Sequence, residues 1–93
     1  MTVLAVERFV LVPGSEEHLR ELAMPALDAL RSAPGALWAD LAGLEDGFLL
    51  VSEWRSAGDA DAWDDGEASR SFVRGLDPYL VGERTRRRFG ASH

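Results

Sequence analysis

The stretch FLLVSEWRS, residues 48–56, has the pattern of a β-strand that ends in Glu-Trp-Arg-Ser. Successive side chains of a strand point to opposite faces of the sheet. One face of this strand therefore carries Phe48, Leu50, Ser52 and Trp54. The tryptophan at the end of that face can fill the core, border a pocket, or do both.

A second strand precedes this one, because the apolar run ALWADLAG at 36–43 is separated from it by the turn-forming sequence LEDG. The two strands together predict a β-hairpin. An earlier run, TVLAVERFVLV at 2–12, predicts another strand that Pro13 and Gly14 terminate. Both faces of that strand are mostly apolar, so we expect both to be covered.

Helices flank the hairpin on both sides. Ser15 begins a segment whose apolar residues recur at helical spacing until about Ala33. Residues 56–65 predict an acidic helix, which Gly66 separates from a further helical piece, and RTRRRF at 84–89 predicts a last strand. The order strand, helix, strand, strand, helix, strand predicts an α+β sandwich with helices on one face of an antiparallel sheet. The other face is apolar and needs a partner.

The composition limits the class of protein. The chain has 93 residues, of which 46% are hydrophobic, so it can form one small domain over residues 1–93. A domain of this size is marginally stable alone, and we therefore expect a homodimer. The sequence has no cysteine and no apolar run long enough for a membrane span, so we expect a soluble cytoplasmic protein. The net charge of −6 disfavours binding to nucleic acid or anionic lipid.

Three stretches give the sequence a family resemblance. VERFVLVPGSEEHL at 6–19, APGALWADLA at 33–42 and FLLVSEWRSAGDADAW at 48–63 resemble the antibiotic biosynthesis monooxygenase family. The resemblance implies a ferredoxin-like βαββαβ fold whose exposed sheet face packs against a second copy in a dimeric α+β barrel. It also implies a pocket between the sheet and the helices of each subunit. Several members oxidise anthrone-type polyketides to quinones with O2 and without metal or flavin, and another branch degrades heme.

The sequence departs from the patterns of both branches. The heme-degrading members use an Asn in the first strand, a Trp in the second helix and an iron-binding His farther along. The corresponding positions here hold Glu7, Trp63 and, approximately, Val73, so the resemblance implies no heme and no other cofactor. The quinone-forming members have an Asn shortly before the Trp of the third strand, where this chain has Leu50 and Trp54.

Three residues are candidates for catalysis. Glu7 lies on the strand face that we assign to the pocket, where loss of solvation would raise its pKa and let it act as a general base. Trp54 can stack on an aromatic substrate and offer its indole N–H to a developing oxyanion. We take Arg86 as the last-strand arginine that the resemblance implies. The same pattern also allows Arg84, Arg87 and Arg88. The structural alternatives are a salt bridge for Glu7, to Arg55 or to a last-strand arginine, and a core position for Trp54.

Aromatic and polar residues elsewhere are candidates for substrate binding, although each can equally be a packing residue. They are Trp38, Ser52, Trp63, Phe72 and Tyr79. No metal site is predicted, because His18 and His93 stand alone and the acidic run DADAWDDGE at 59–67 lacks the ligand spacing of a calcium loop. We expect the basic run at 84–88 to pair with this acidic helix or with an anionic group of the substrate.

These residues are consistent with three functions. The leading hypothesis is a cofactor-independent monooxygenase that oxidises an aromatic, polyketide-like small molecule with O2, in a reaction of the anthrone-to-quinone type. The second is an isomerase or cyclase that uses the same pocket for proton transfer alone. The third is a non-catalytic dimer that binds a small hydrophobic molecule. Oxygen consumption separates the first hypothesis from the second.

Overall fold

The computed structural model describes residues 1–91, which form the predicted succession of strands and helices. In chain order the elements are β1 (Thr2–Val10), α1 (Glu16–Arg31), β2 (Ala36–Leu44), β3 (Gly47–Trp54), α2 (Ala57–Asp65), α3 (Glu67–Leu76) and β4 (Thr85–Ala91). A single 3₁₀ turn at Asp77–Tyr79 follows α3. Gly66 separates the two C-terminal helices, as the sequence predicts.

The four strands form one antiparallel sheet with the order β2-β3-β1-β4. The two central strands, β1 and β3, are therefore the first and third in the sequence, and the last strand lies at an edge. This topology confirms the α+β, ferredoxin-like fold. It also places the arginines of β4 directly beside β1.

The core lies between one face of the sheet and the helices, and we call this face the inner face. Phe9 of β1 stacks on Phe48 of β3, with ring centroids 4.6 Å apart. The edge of Phe72 from α3 meets Phe9 at 6.0 Å. Leu27 and Leu30 of α1 are buried against the same cluster. Burial of these side chains gives the main stabilisation of a small domain, at about 1.5–3 kcal/mol for each large apolar side chain.

Two glycines stand where the β2–β3 hairpin has no room for a side chain. A Cβ atom on Gly47, the first residue of β3, would lie 1.8 Å from the backbone oxygen of Phe9, so only glycine fits beside β1. Gly35, before β2, has a φ of +83°, and a Cβ atom there would meet the Asp59 side chain. The Ser56 hydroxyl caps α2 by accepting a hydrogen bond from the Asp59 backbone N–H at 3.2 Å.

The opposite face of the sheet, which we call the outer face, carries a row of side chains across all four strands. In strand order the row is Trp38, Glu53, Leu4 and Phe89. Glu53 is buried and accepts a hydrogen bond from the Trp38 indole N–H at 2.7 Å. Trp38 is 45% exposed and Phe89 is 49% exposed. No helix within residues 1–91 combines the length and the apolar character that a bilayer span requires.

Candidate active site

A cavity of about 290 Å³ opens between the inner face of the sheet and helix α2. Its apolar wall is formed by Ala5, Leu30, Leu50, Trp54, Ala60 and Trp63. Its polar wall is formed by Glu7, Ser52, Asp64, Arg86, Arg87 and Arg88. The volume is at the lower end of the range for small-molecule sites, about 300–1,000 Å³, and the lining has as many polar as apolar residues.

The strand register brings the polar residues of the cavity together. Glu7 of β1 is paired with Leu50 of β3 on one side and with Arg86 of β4 on the other. Paired residues of neighbouring strands project from the same face of a sheet. A carboxylate, an apolar side chain and a guanidinium therefore stand side by side on the inner face.

Glu7 is a mostly buried carboxylate that faces two arginines. Its Oε2 accepts a hydrogen bond from Arg84 Nη1 at 3.0 Å, and its Oε1 lies 3.9 Å from Arg86 Nε. Burial raises the pKa of Glu7 above its ordinary value, because the lost hydration outweighs the attraction of both guanidiniums. The negative charge of Asp64 raises this pKa further.

Asp64 of α2 joins the helix to the edge strand β4. Its Oδ2 accepts hydrogen bonds from Arg86 Nη2 and from Arg88 Nη2, the latter at 2.7 Å. Arg88 also donates to Asp61 Oδ1 at 2.7 Å through Nη1. The expectation that the basic run pairs with the acidic helix is confirmed by these contacts. They form one side of the cavity and hold Arg86 between two carboxylates.

Trp54 and Ser52 form a buried hydrogen-bonded pair on β3. Trp54 is 1% exposed and Ser52 is 5% exposed. The indole Nε1 of Trp54 donates to Ser52 Oγ at 2.9 Å. The Trp54 ring also packs at a tilt on Trp63, with centroids 6.4 Å apart. Trp54 is thus a core residue whose one edge lines the cavity, and its N–H already has an acceptor.

Five of the predicted site residues line one cavity. They are Glu7, Ser52, Trp54, Trp63 and Arg86. Three others lie elsewhere. Trp38 is on the outer face, because β2 directs alternate side chains away from the helices. Phe72 packs on Phe9 in the core and does not line this cavity. Tyr79 stacks on His18, with ring centroids 4.8 Å apart, outside the cavity.

Asp64 of α2 is a site residue that the sequence pattern did not reveal. Asp64 was not singled out, because it belongs to an acidic run that reads as a solvated helix face. The spacing of Asp61 and Asp64 was the available signal, since residues three apart share one face of a helix and can meet alternate arginines of a strand. His93 lies outside the described residues.

Comparison with known proteins identifies the fold and the family. Rv0793 from Mycobacterium tuberculosis superposes with a TM-score of 0.88 at 18% sequence identity, over 100% of this chain and 97% of that one. A Nitrosomonas europaea protein proposed to be an antibiotic biosynthesis monooxygenase gives 0.91 at 13%, over 97% and 89% of the two chains. A variant of SnoaB, a cofactor-independent oxygenase from Streptomyces nogalater, gives 0.83 at 13%, over 99% and 94%. At these identities the likeness shows the fold alone.

Sequence comparison adds the family assignment. None of the curated proteins gives a significant match. The model of the antibiotic biosynthesis monooxygenase family matches residues 2–75, from β1 into α3, and its match ends before the arginines of β4. Because this match spans most of the chain, the protein belongs to the antibiotic biosynthesis monooxygenase family.

Proposed function

We propose that this protein is a cofactor-independent monooxygenase that oxidises an aromatic, polyketide-like small molecule with O2, in a reaction of the anthrone-to-quinone type. The observation that carries the proposal is the position of Glu7. It is a desolvated carboxylate with a raised pKa, in a cavity that two tryptophans and several guanidinium groups line. Family membership and the cofactor-independent oxygenase among the structural relatives support the same chemistry.

In the proposed reaction Glu7 takes a proton from a CH2 group between two aromatic rings. The resulting carbanion is an enolate of the neighbouring carbonyl and therefore places negative charge on oxygen. The anion gives one electron to O2, and the two radicals combine to a peroxide. Loss of water from the peroxide leaves a carbonyl group, so CH2 and O2 become C=O and H2O. The substrate supplies the electrons, and no external reductant is needed.

Arg86 is the proposed electrostatic stabiliser of the anion. Its guanidinium lines the cavity beside Glu7, and Asp64 holds it by an ion pair. A positive charge that is already positioned lowers the energy of an anion that develops beside it. The aromatic rings of the substrate would lie against Trp63, whose side chain lines the cavity from helix α2.

A second candidate function is proton transfer alone, in an isomerase or cyclase. Leu50 favours it, because this apolar side chain is paired with Glu7 where the quinone-forming members have an Asn. A leucine offers no hydrogen bond to a peroxide intermediate, whereas a base and an anion-stabilising group suffice for a proton shift. A non-catalytic small-molecule-binding dimer is the third candidate, and it predicts saturable binding without turnover.

The test is oxygen uptake together with quinone absorbance when the metal-free protein meets a panel of anthrones and hydroquinones. We expect turnover by the wild type and a loss of about 10²–10⁴-fold in kcat/KM for Glu7→Gln, which cannot accept the proton. Trp54→Phe should also weaken turnover. Glu67→Gln is the matched control, since Glu67 is an exposed carboxylate paired with Arg74.

The possible results separate the three functions. Proton exchange or isomerisation without oxygen uptake would favour the isomerase or cyclase. Saturable binding without any conversion would favour the binding protein. Turnover that Glu7→Gln leaves intact would remove the proposed base.

We further propose that residues 1–93 act as one domain, that two copies form the working unit, and that it operates in the cytoplasm. The outer face supports the homodimer, because Trp38 and Phe89 leave large apolar side chains exposed there. The family resemblance implies that this face pairs with a second copy. The cysteine-free sequence agrees with a reducing compartment.

A further inference from the structure

The hydrogen bond between Trp54 and Ser52 determines which group can reach a ligand. An indole nitrogen can donate one hydrogen bond and cannot accept one. The Trp54 Nε1 donates its hydrogen to Ser52 Oγ, with 2.9 Å between the two atoms. A serine hydroxyl accepts such a bond and still carries its own hydrogen, which rotates to find an acceptor. The donor that remains for a ligand is therefore the Ser52 O–H.

The neighbours of Ser52 leave it open to the cavity. On the two adjacent strands it is paired with Ala5 and Ala39, whose methyl groups offer no acceptor. Their small size also leaves space above the hydroxyl, and both Ala5 and Ser52 line the cavity. A buried hydroxyl hydrogen strongly favours an acceptor, since an unpaired polar group in the interior is costly.

The charge of the cavity wall indicates the kind of ligand. The guanidiniums of Arg86 and Arg88 project from β4 on the inner face, whereas alternation turns Arg87 to the outer face. Carboxylates of α2 hold both inner-face guanidiniums in place. Guanidiniums positioned in this way stabilise negative charge that develops on a ligand or intermediate.

We propose that Ser52 donates the hydrogen bond to the ligand oxygen that becomes negatively charged, and that Trp54 acts through Ser52 as a positioning residue. The ligand class is a phenol or an enolisable aromatic ketone, with its oxygen at Ser52 and its rings against Trp63. The inference rests on the proposed function for the identity of the reacting oxygen. It differs from direct donation by Trp54, whose N–H is already engaged.

Binding of 4-nitrophenol tests the inference without relying on turnover, because the absorbance of this probe reports whether it is bound as phenol or phenolate. Its isostere 4-nitrotoluene lacks the hydroxyl group. We expect the wild type to bind 4-nitrophenol more tightly than 4-nitrotoluene and to lower the pKa of the bound phenol. Ser52→Ala should remove this preference, a loss of about 10- to 100-fold in affinity for the phenolate, as for a hydrogen bond to a charged group.

Two further variants distinguish the roles of the pair. Trp54→Phe keeps the serine hydroxyl but leaves it unoriented, so it should lose part of the phenol preference. Ser69→Ala is the matched control, because Ser69 is a serine of α3 that is 6% exposed and lies outside the lining of this cavity. Retained binding of 4-nitrotoluene and an unchanged circular dichroism spectrum show that a variant is folded.

Each outcome decides the inference. Loss of the phenol preference in Ser52→Ala but not in Ser69→Ala supports it. The inference is overturned if the wild type shows no preference for the phenol, if the preference persists in Ser52→Ala, or if it disappears only in Trp54→Phe. A phenol preference that depends on Ser52 in a protein without oxygen uptake would instead remove the monooxygenase function and keep the oxyanion site. Oxygen uptake that Ser52→Ala leaves unchanged would keep the monooxygenase function and remove the oxyanion site.

Discussion

Burial and neighbouring charges change the pKa of Glu7 in opposite directions. Burial on the inner face raises the pKa of its carboxyl, while Arg84 and Arg86 lower it. Burial has the largest effect and outweighs both Arg84, at 3.0 Å, and Arg86, at 3.9 Å. The result is a carboxylate more basic than an exposed one, which suits a group that must take a proton from carbon.

The Glu7 contribution to stability should decline as the pH rises through the ionisation of this residue. A raised pKa means that the folded protein holds the proton more tightly than the unfolded chain, whose carboxyl has the ordinary value of 4.5. The contribution is therefore fully present below that value and is lost as the pH rises through the folded-state pKa. The measurement is a set of urea titrations at a series of pH values. We expect the difference in the free energy of unfolding, Glu7→Gln minus wild type, to increase as the pH rises from 4.5 through the folded-state pKa.

The control for this measurement is Glu67→Gln, which removes an exposed carboxylate from a 2.6 Å ion pair with Arg74. Its difference from the wild type reports the loss of a surface charge alone, and surface ion pairs contribute only about 0–1 kcal/mol. A Glu7→Gln difference that stays constant with pH, or that decreases as the pH rises, would contradict the raised pKa.

Sequence patterns predicted the site residues that lie on strands better than those on helices. Alternation along β1 and β3 placed Glu7, Ser52 and Trp54 on one face, because a strand leaves only two directions for a side chain. The contacts that define their chemistry were less accessible. The sequence left open whether Trp54 offers its N–H to a substrate or is a core residue. In the structure the N–H is bonded to Ser52, and side-chain hydrogen bonds of this kind depend on rotamers that the sequence does not specify.

At the scale of elements, the site depends on how α2 meets β4. The helix presents Asp61 and Asp64 to Arg86 and Arg88 of the edge strand, and these ion pairs close one side of the cavity. An edge strand has a free side for such contacts because only one neighbour pairs with it. The interface between the two elements therefore sets the charge environment of Glu7 as well as the shape of the cavity.

Asp64→Asn should lower the pKa of Glu7. The Asp64 charge raises that pKa directly, and Asp64 also holds the Arg86 guanidinium, whose positive charge lowers the pKa by stabilising the ionised Glu7 carboxylate. Removal of the charge eliminates the first effect and frees Arg86 to move towards Glu7, so both changes act in the same direction. The measurement is a carbon-13 NMR titration of the glutamate carboxyls, with the Glu7 signal assigned by its absence in Glu7→Gln.

Asp61→Asn is the control for the helix charge. Asp61 pairs with Arg88 alone among the described residues and is not among the groups that perturb Glu7. We expect it to leave the Glu7 titration near that of the wild type. If Asp64→Asn left the titration unchanged, or raised its midpoint, the proposed coupling between α2 and the base would be excluded.

The elements themselves were predictable to within a few residues, because Pro13, Gly14 and Gly66 end strands and helices for local steric reasons. The aromatic residues were assigned less well. Trp38 was expected at the pocket, but its strand β2 turns it to the outer face, where it bonds to Glu53. Alternation in β2 is weak, since ALWADLAGL mixes apolar and polar residues on both faces, and the face of such a strand is set by its neighbours.

At the scale of the whole molecule, the two faces of the sheet have different roles. The inner face packs on the helices and contains the cavity, and the outer face carries apolar side chains that no helix within residues 1–91 covers. The sequence predicted this division from the apolar character of both faces of β1. No pattern in the sequence indicates which surface covers the outer face. Only the family resemblance implies that a second copy does so.

Phe89→Asp should break the proposed homodimer. Phe89 is 49% exposed and lies on the outer face in the row with Leu4, Glu53 and Trp38. A carboxylate there would be desolvated if a second copy packed on this face, and loss of one central aromatic contact commonly costs an interface about 2 kcal/mol or more, which weakens binding at least about 30-fold. We expect the wild type to have twice the mass of one chain by light scattering, and the variant to dissociate at concentrations where the wild type stays paired.

Val81→Asp is the matched control for this substitution, because it adds the same charge at another exposed apolar residue outside the sheet. It should leave the mass unchanged. If association stabilises the fold, the melting temperature of the wild type should also rise with protein concentration, whereas that of Phe89→Asp should not. A wild type that remains a single chain at every concentration, or a Phe89→Asp protein that associates as strongly as Val81→Asp, would show that the outer face does not pair. The cavity lies on the inner face, so activity retained by a dissociated Phe89→Asp chain would mean that one copy contains the complete site.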